Sequence, residues 1–252
     1  ALAVAAVAAV TAAGRAHADP TAPIALERGE LLARVTAGVD VRYQRSTELL
    51  SLAPDLWWGV TARWTVGVVH SAPSVDRIDA VATWCLRDPA ATACPRAYAG
   101  GGLEARYLAW DGAIAVAPRL RLLVRDVSPW KPAAAIGALV RWRRGALAIT
   151  ADPYVRAPLA NHTQGNRAAV FLPVWASWAP AARWQLYLHT GFDASFATLG
   201  DGGHVPVALG AVAPVPGTCA VSLAVEAGWA ALLGPQHDAK SAAVLVALGW
   251  RG

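Results

Sequence analysis

His189, Asp193 and Ser195 lie close together in the chain and carry the groups that nucleophilic hydrolysis uses: an imidazole base, an orienting carboxylate and a hydroxyl. In an extended segment all three share one face with Tyr187. Neighbours at i and i+2 on a strand stand ~6.5–7 Å apart, whereas proton transfer needs ~2.6–3.2 Å. A hydrolase around His189 is therefore a minor alternative, because it would need partners from other strands. His70, His162, His204 and His237 fall at expected strand ends or in loops. Cys85 and Cys94 have no nearby histidine pair and offer too few ligands for zinc. The sequence has no glycine-rich phosphate loop and no nucleophile elbow. No catalytic residue, metal or cofactor is expected.

A second set of residues carries charge rather than catalysis. Lys131 and Lys240 are the only lysines among 22 basic residues, so arginine supplies nearly all the positive charge. Arg34, Arg42, Arg63, Arg106, Arg119, Arg121, Arg125, Arg141, Arg156 and Arg183 fall in phase with His189 on the polar faces of alternating segments. Asp40, Glu104, Asp152, Asp193 and Glu226 share those faces, which gives ten arginines against five carboxylates. Guanidinium groups around a water-filled space attract anions and repel cations. Arg119, Arg121 and Arg125 share one strand face and Arg34 and Arg42 another, so these are the candidates for a constriction. The competing possibility is that arginines and carboxylates pair across the interior and fill it.

The elements that position these residues are strands. Over 183–196, Trp184, Leu186, Leu188, Phe192, Ala194 and Phe196 alternate with Arg183, Gln185, Tyr187, His189, Gly191, Asp193 and Ser195. Residues 31–44 repeat the pattern, with Val35 and Val39 on one face and Arg34 and Thr36 on the other. Period two gives a strand one greasy and one wet side. The same test predicts twelve strands: 30–44, 47–60, 63–71, 102–110, 113–125, 133–142, 146–156, 167–178, 183–196, 205–213, 218–232 and 240–250. Pro54, Pro118, Pro153, Pro173 and Pro206 must then sit at bulges or strand ends.

Composition narrows the class. The chain has 252 residues, 56% hydrophobic and 15% charged. That excludes disorder, since apolar surface is ample, and it is unlike a cytosolic enzyme, whose charged share is about 25%. After residue 18 no apolar run reaches the ~18 residues of a spanning helix. The net charge of +5 is spread along the chain, so no nucleic-acid partner is expected. Residues 1–14 read as the apolar core of a signal peptide, followed by the Ala16-His17-Ala18 cleavage pattern. The charged region that normally precedes such a core is missing, so the signal (1–18) reads as truncated and a single domain occupies 19–252. In an exported protein Cys85 and Cys94, inside the Pro-containing stretch 71–101, are expected to form a loop-stapling disulfide. Cys219 is expected to be an inert buried thiol.

Short turns are expected at Thr61 and Ala62, Asp111 and Gly112, Arg143 to Gly145, Ala179 to Ala182 and Pro214 to Gly217. The intervening connections, 71–101, 126–132, 157–166, 197–204 and 233–239, are longer. Short turns on one rim and long loops on the other mark a transmembrane β-barrel with both termini on the periplasmic side. Trp58, Trp64, Trp142, Trp178, Trp184 and Trp250 point outward beside the short turns, as an interfacial girdle would. A secreted β-sandwich is the soluble alternative. It should be polar on one face of every strand, yet 205–213 and 240–250 are apolar on both.

Ala242, Val244, Val246, Leu248 and Trp250 form an alternating run closed by an aromatic. This resembles the C-terminal assembly signal of Gram-negative outer-membrane proteins, with the departure that Arg251 and Gly252 follow. Residues 57–68, WWGVTARWTVGV, resemble the aromatic-Gly-x-Thr-x-Arg hairpin of barrels described as outer-membrane transporters. The expectation is all-β: an antiparallel up-and-down outer-membrane β-barrel of about twelve strands, within ten to fourteen. The expected function is a small passive channel for small anionic solutes, lined by Arg34, Arg42, Arg106, Arg119, Arg121, Arg125, Arg141, Arg183, His189, Asp193 and Glu226. The alternative is a closed structural or surface-interaction barrel. Expected partners are outer-membrane lipid and lipopolysaccharide, the outer-membrane assembly machinery and small solutes.

Overall fold

The computed structural model describes residues 23–42, 50–70, 84–86, 100–181, 184–218, 220–235, 237–239 and 241–252. The strands are β1 (Leu31–Arg42), β2 (Leu50–Gly59), β3 (Trp64–Val69), β4 (Trp84–Leu86), β5 (Gly101–Tyr107), β6 (Ile114–Val127) and β7 (Trp130–Arg144). They continue with β8 (Leu147–Ala151), β9 (Tyr154–Pro158), β10 (Ala169–Ala181), β11 (Trp184–Ser195), β12 (Val205–Pro214), β13 (Val221–Leu233) and β14 (Ser241–Arg251). All pairings are antiparallel, and β1 pairs with both β2 and β14, which closes the sheet on itself. β8 and β9 each pair with β7 and β10 and are two halves of one stave. Among the described residues the short β4 pairs only with β2. The result is a closed barrel of twelve staves, the number that the alternation predicts.

The prolines sit where the ladders permit them. β3 and β4 cover the two ends of β2, and among the described residues Pro54 pairs only with β1. Pro118 lies just past the end of the β5 ladder. Pro153 stands in the break between β8 and β9, and Pro173 lies opposite that break. Pro206 falls at the register shift between Val205 and Val207. A ring nitrogen cannot donate to a ladder, so each proline occupies a one-sided or irregular position.

Two connections differ from expectation. The stretch 126–132 is no long loop: β6 and β7 run to Val127 and Trp130 and meet across Ser128 and Pro129. β10 likewise continues through Ala181, past the turn expected at 179–182. Tight pairing extends the hairpins beyond where composition suggests a loop. The signal segment 1–18, Cys94 and Cys219 lie outside the described residues, as does the side chain of Cys85, so the expected disulfide does too.

The outer face is a continuous apolar belt. Val35, Leu56, Leu103, Leu120, Ile136, Ile149, Leu172, Leu188, Leu209, Val225 and Val246 are all exposed, and together they belong to every stave except β3. Val68 supplies the exposed residue there. Soluble monomers rarely expose contiguous apolar patches beyond a few hundred Å². Among the described residues no helix is long and apolar enough to cross a membrane. Strands do so here, because the β1–β14 ladder closes the twelve staves on themselves and pairs their backbone within the sheet. Trp58, Trp64, Trp178, Trp184 and Trp250 are exposed, and Trp142 is half-buried between the exposed Ile114 and Ile149.

Candidate functional site

The inward faces of the staves enclose the only large set of buried charges among the described residues. Arg34, Arg106, Arg119, Arg121, Arg141 and Arg156 are buried there with Asp55, Glu104, Asp152, Asp193 and Glu226. Among the described buried side chains six guanidiniums face five carboxylates. Asp55 is one that the sequence reading missed, because Pro54 blurs the alternation of β2. Arg63, expected inward, is instead exposed at the turn before β3 and donates to the Tyr107 hydroxyl. Arg42 falls in β1, but its side chain lies outside the described residues, as does Arg183.

Glu104 on β5 is the centre of the set. Register places it opposite Arg121 on β6, with Arg106 opposite Arg119 one step along the same face. Its carboxylate accepts from Arg121 Nε at 2.6 Å and lies 2.9 Å from Arg106 Nη2 and 3.5 Å from Arg119 Nη1. Trp57 Nε1 adds a fourth donor at 3.1 Å. Arg119 also reaches Asp152 at 2.8 Å, in the gap between β8 and β9. Aromatic rings floor the arginines: Arg34 and Arg106 lie over Trp57, Arg119 and Arg121 over Tyr154, and Arg156 over Phe171. A buried charge is tolerated only with partners of this kind, because desolvation otherwise exceeds the Coulombic gain. Arg141 donates to Thr150. Arg125, nearer the long-loop rim, donates to Asn166, whose amide donates to the Pro132 and Ala160 carbonyls at 2.7 Å each. Asn166 thereby straps the loop after β9 onto the mouth.

The residues before β1 enter the barrel. Gly29 and Glu30 exchange backbone hydrogen bonds with Gly59, and a Cβ on Gly59 would stand 1.9 Å from the Glu27 carbonyl oxygen, so only glycine admits the segment there. Leu26 is 2% exposed, packs in the cluster containing Leu32, Trp57 and Val69, and donates its N–H to Thr65 Oγ1 at 3.0 Å. Ile24 packs on Ala117 and Leu139 of β6 and β7, against Leu108 and Ala115. Arg106 Nη1 donates to the Pro23 carbonyl at 2.6 Å. The segment thus crosses the lumen at the short-turn end, from the β1–β2 wall to the β6–β7 wall. Sequence reasoning missed it. The apolar alternation of Ile24 and Leu26 in an otherwise polar stretch is the one signal that could have found it.

His189 on β11 is fully buried, stacked on Trp175 at 4.8 Å, and its Nδ1 donates to Glu226 at 3.3 Å. The Tyr187 hydroxyl also bonds Glu226. Among the described residues no hydroxyl or thiol hydrogen-bonds His189, and Ser195 instead donates to the Ala168 carbonyl. The triad raised by the sequence is not assembled. Asp193 is paired with His204, directly opposite across the β11–β12 hairpin, at 2.9 Å. The hydrogen bond that Asp193 accepts from His204 raises the His204 pKa above its ordinary value, against partial burial and with help from the carboxylate's charge.

No family model and no curated protein sequence matches the chain. Solved structures do. The COG4313 outer membrane channel from Pseudomonas putida F1 matches with TM-score 0.63 at 11% identity, over 93% of this chain and 98% of the channel. The KdgM porin in complex with oligogalacturonate matches with TM-score 0.59 at 7% identity, over 87% and 98%. The NanC porin matches with TM-score 0.59 at 7% identity, over 86% and 98%. At these identities the likeness carries the fold. A closed barrel of this type wrapped in an apolar belt makes the chain an integral outer-membrane protein.

Proposed function

We propose that the protein is a narrow outer-membrane channel for small anionic solutes that rests in an occluded state. One observation carries the reading: the β5 to β9 wall holds buried Arg106, Arg119, Arg121, Arg141 and Arg156 against Glu104 and Asp152 alone. A wall with that imbalance favours anions in a low-dielectric passage. The occluded rest state follows from the segment 23–30 across the lumen. The similar structures include a porin bound to oligogalacturonate, an acidic saccharide, which supports the same solute class. Lipid and lipopolysaccharide contact the belt, and the outer-membrane assembly machinery inserts the barrel. Catalysis is no part of this proposal: among the described residues no hydroxyl or thiol hydrogen-bonds His189.

A second reading is a closed structural barrel whose work is done by its loops. The closely paired charges around Glu104 favour it. Planar-bilayer recording of the refolded protein under a salt gradient separates the two. Sparse openings with an anion-selective reversal potential are expected, becoming frequent when Ile24 and Leu26 are both replaced by alanine. A cation-selective current would remove the anion assignment. Silence from an inserted barrel, even with both substitutions, would favour the closed reading.

A further inference from the structure

We infer that Arg106 is both the receptor for a carboxylate on the solute and the latch of the N-terminal segment. The inference rests on the channel reading and adds a ligand class and an opening step to it. Arg106 is 2% exposed, and its donors are unevenly used. Nη2 meets Glu104 and Nη1 meets the Pro23 carbonyl, while the buried Nε–H has no acceptor among the described residues. Buried donors are nearly always answered, so an unanswered one on a guanidinium marks a place for an incoming oxygen. Arg119 and Arg121 share Glu104 with it, so the local field favours an anion.

The latch follows from competition between acceptors. The Pro23 carbonyl is neutral, whereas a carboxylate accepts from guanidinium with charge assistance and in two-point geometry. A carboxylate arriving at the Nε–H draws the guanidinium toward itself and away from Pro23. Among the described residues the segment then keeps the Leu26–Thr65 hydrogen bond and the apolar contacts of Ile24 and Leu26 at this end of its path. Binding at Arg106 and opening at the short-turn end become one event, and a ligand that shifts this equilibrium must bind the open state more tightly.

Glucuronate is the probe, with glucose as the uncharged control of similar size. Calorimetric titration of the detergent-solubilised barrel should show saturable glucuronate binding, weakened at least tenfold in Arg106→Gln. In bilayers glucuronate should raise the open fraction several-fold and glucose should not. Arg106→Gln should open more often at rest and gain nothing from glucuronate. Thr65→Val keeps every arginine, so it should also open more often while binding glucuronate normally; it serves if Arg106→Gln fails to fold. If the Ile24→Ala, Leu26→Ala protein conducts anions while the native protein neither binds glucuronate nor opens with it, the channel stands and this inference falls. If glucuronate binds but only blocks current, the latch is overturned. If no variant conducts, both readings fall together.

Discussion

The two halves of the barrel wall solve the filling problem in opposite ways. The β5 to β9 wall projects Glu104, Arg106, Arg119, Arg121, Arg141, Tyr154 and Arg156 inward. The β12 to β14 wall presents Ala208, Gly210, Val212, Ala224, Gly228, Ala243, Leu245 and Gly249, with Glu226 as its one buried charge among the described residues. A barrel of fixed strand number has a fixed bore, so long side chains on one side require small ones on the other. The contrast teaches that inward phase alone does not define a pore lining. A residue's neighbours across the bore decide whether it meets water or another side chain.

Substitutions that treat the two walls alike test this contrast. The largest effect is expected from Glu104→Gln, which leaves three guanidiniums without their shared carboxylate and should cost about 3–5 kcal/mol. Glu226→Gln, which keeps an acceptor for the Tyr187 hydroxyl and the His189 ring, should cost about 1–2 kcal/mol. Urea unfolding in lipid vesicles measures both, and equal losses would break the comparison. Next comes the small wall. A Cβ on Gly210 would lie 2.1 Å from the Tyr187 ring, so Gly210→Val should cost about 1–3 kcal/mol by overpacking. Adding Tyr187→Ala should recover part of that loss, and no recovery would mean that the ring is not what fills the space.

The smallest effect sharpens the comparison at the rim, where β11 meets β12. His204 has a raised pKa in the folded protein, so its pairing with Asp193 is fully present below about pH 6.5 and fades as pH rises through the raised value. Hydrogen exchange at the β11–β12 hairpin should therefore quicken as pH increases beyond the intrinsic base-catalysed trend. His204→Ala should abolish that excess.

The sequence made the staves legible because alternation is a local property. Leu186, Tyr187, Leu188 and His189 declare their faces without reference to any other strand, and the structure places Leu186 and Leu188 outside and Tyr187 and His189 inside. Even the prolines announced irregularities that the ladders contain. The contacts among inward residues were not legible, because they depend on register between strands distant in sequence. Nothing near Trp57 says that its indole donates to Glu104, and nothing near Asp193 says that His204, rather than His189, will be its partner. The plug was hidden for the same reason: Ile24 is explained only by Ala117 and Leu139, far along the chain.

The junction of β1 and β14 bears on how the molecule comes into being. Leu31 and Gly252 exchange both backbone hydrogen bonds, and eleven residue pairs run from there to Arg42 and Ser241. Nearly the whole chain is thus the loop closed by one ladder, and closing so long a loop is entropically expensive and slow. Until the final strand has been synthesised, β1 has no partner on that side and presents a row of open backbone groups, the template on which chains aggregate. The barrel is therefore a structure whose first strand waits for its last, and its survival before closure depends on keeping that waiting edge covered.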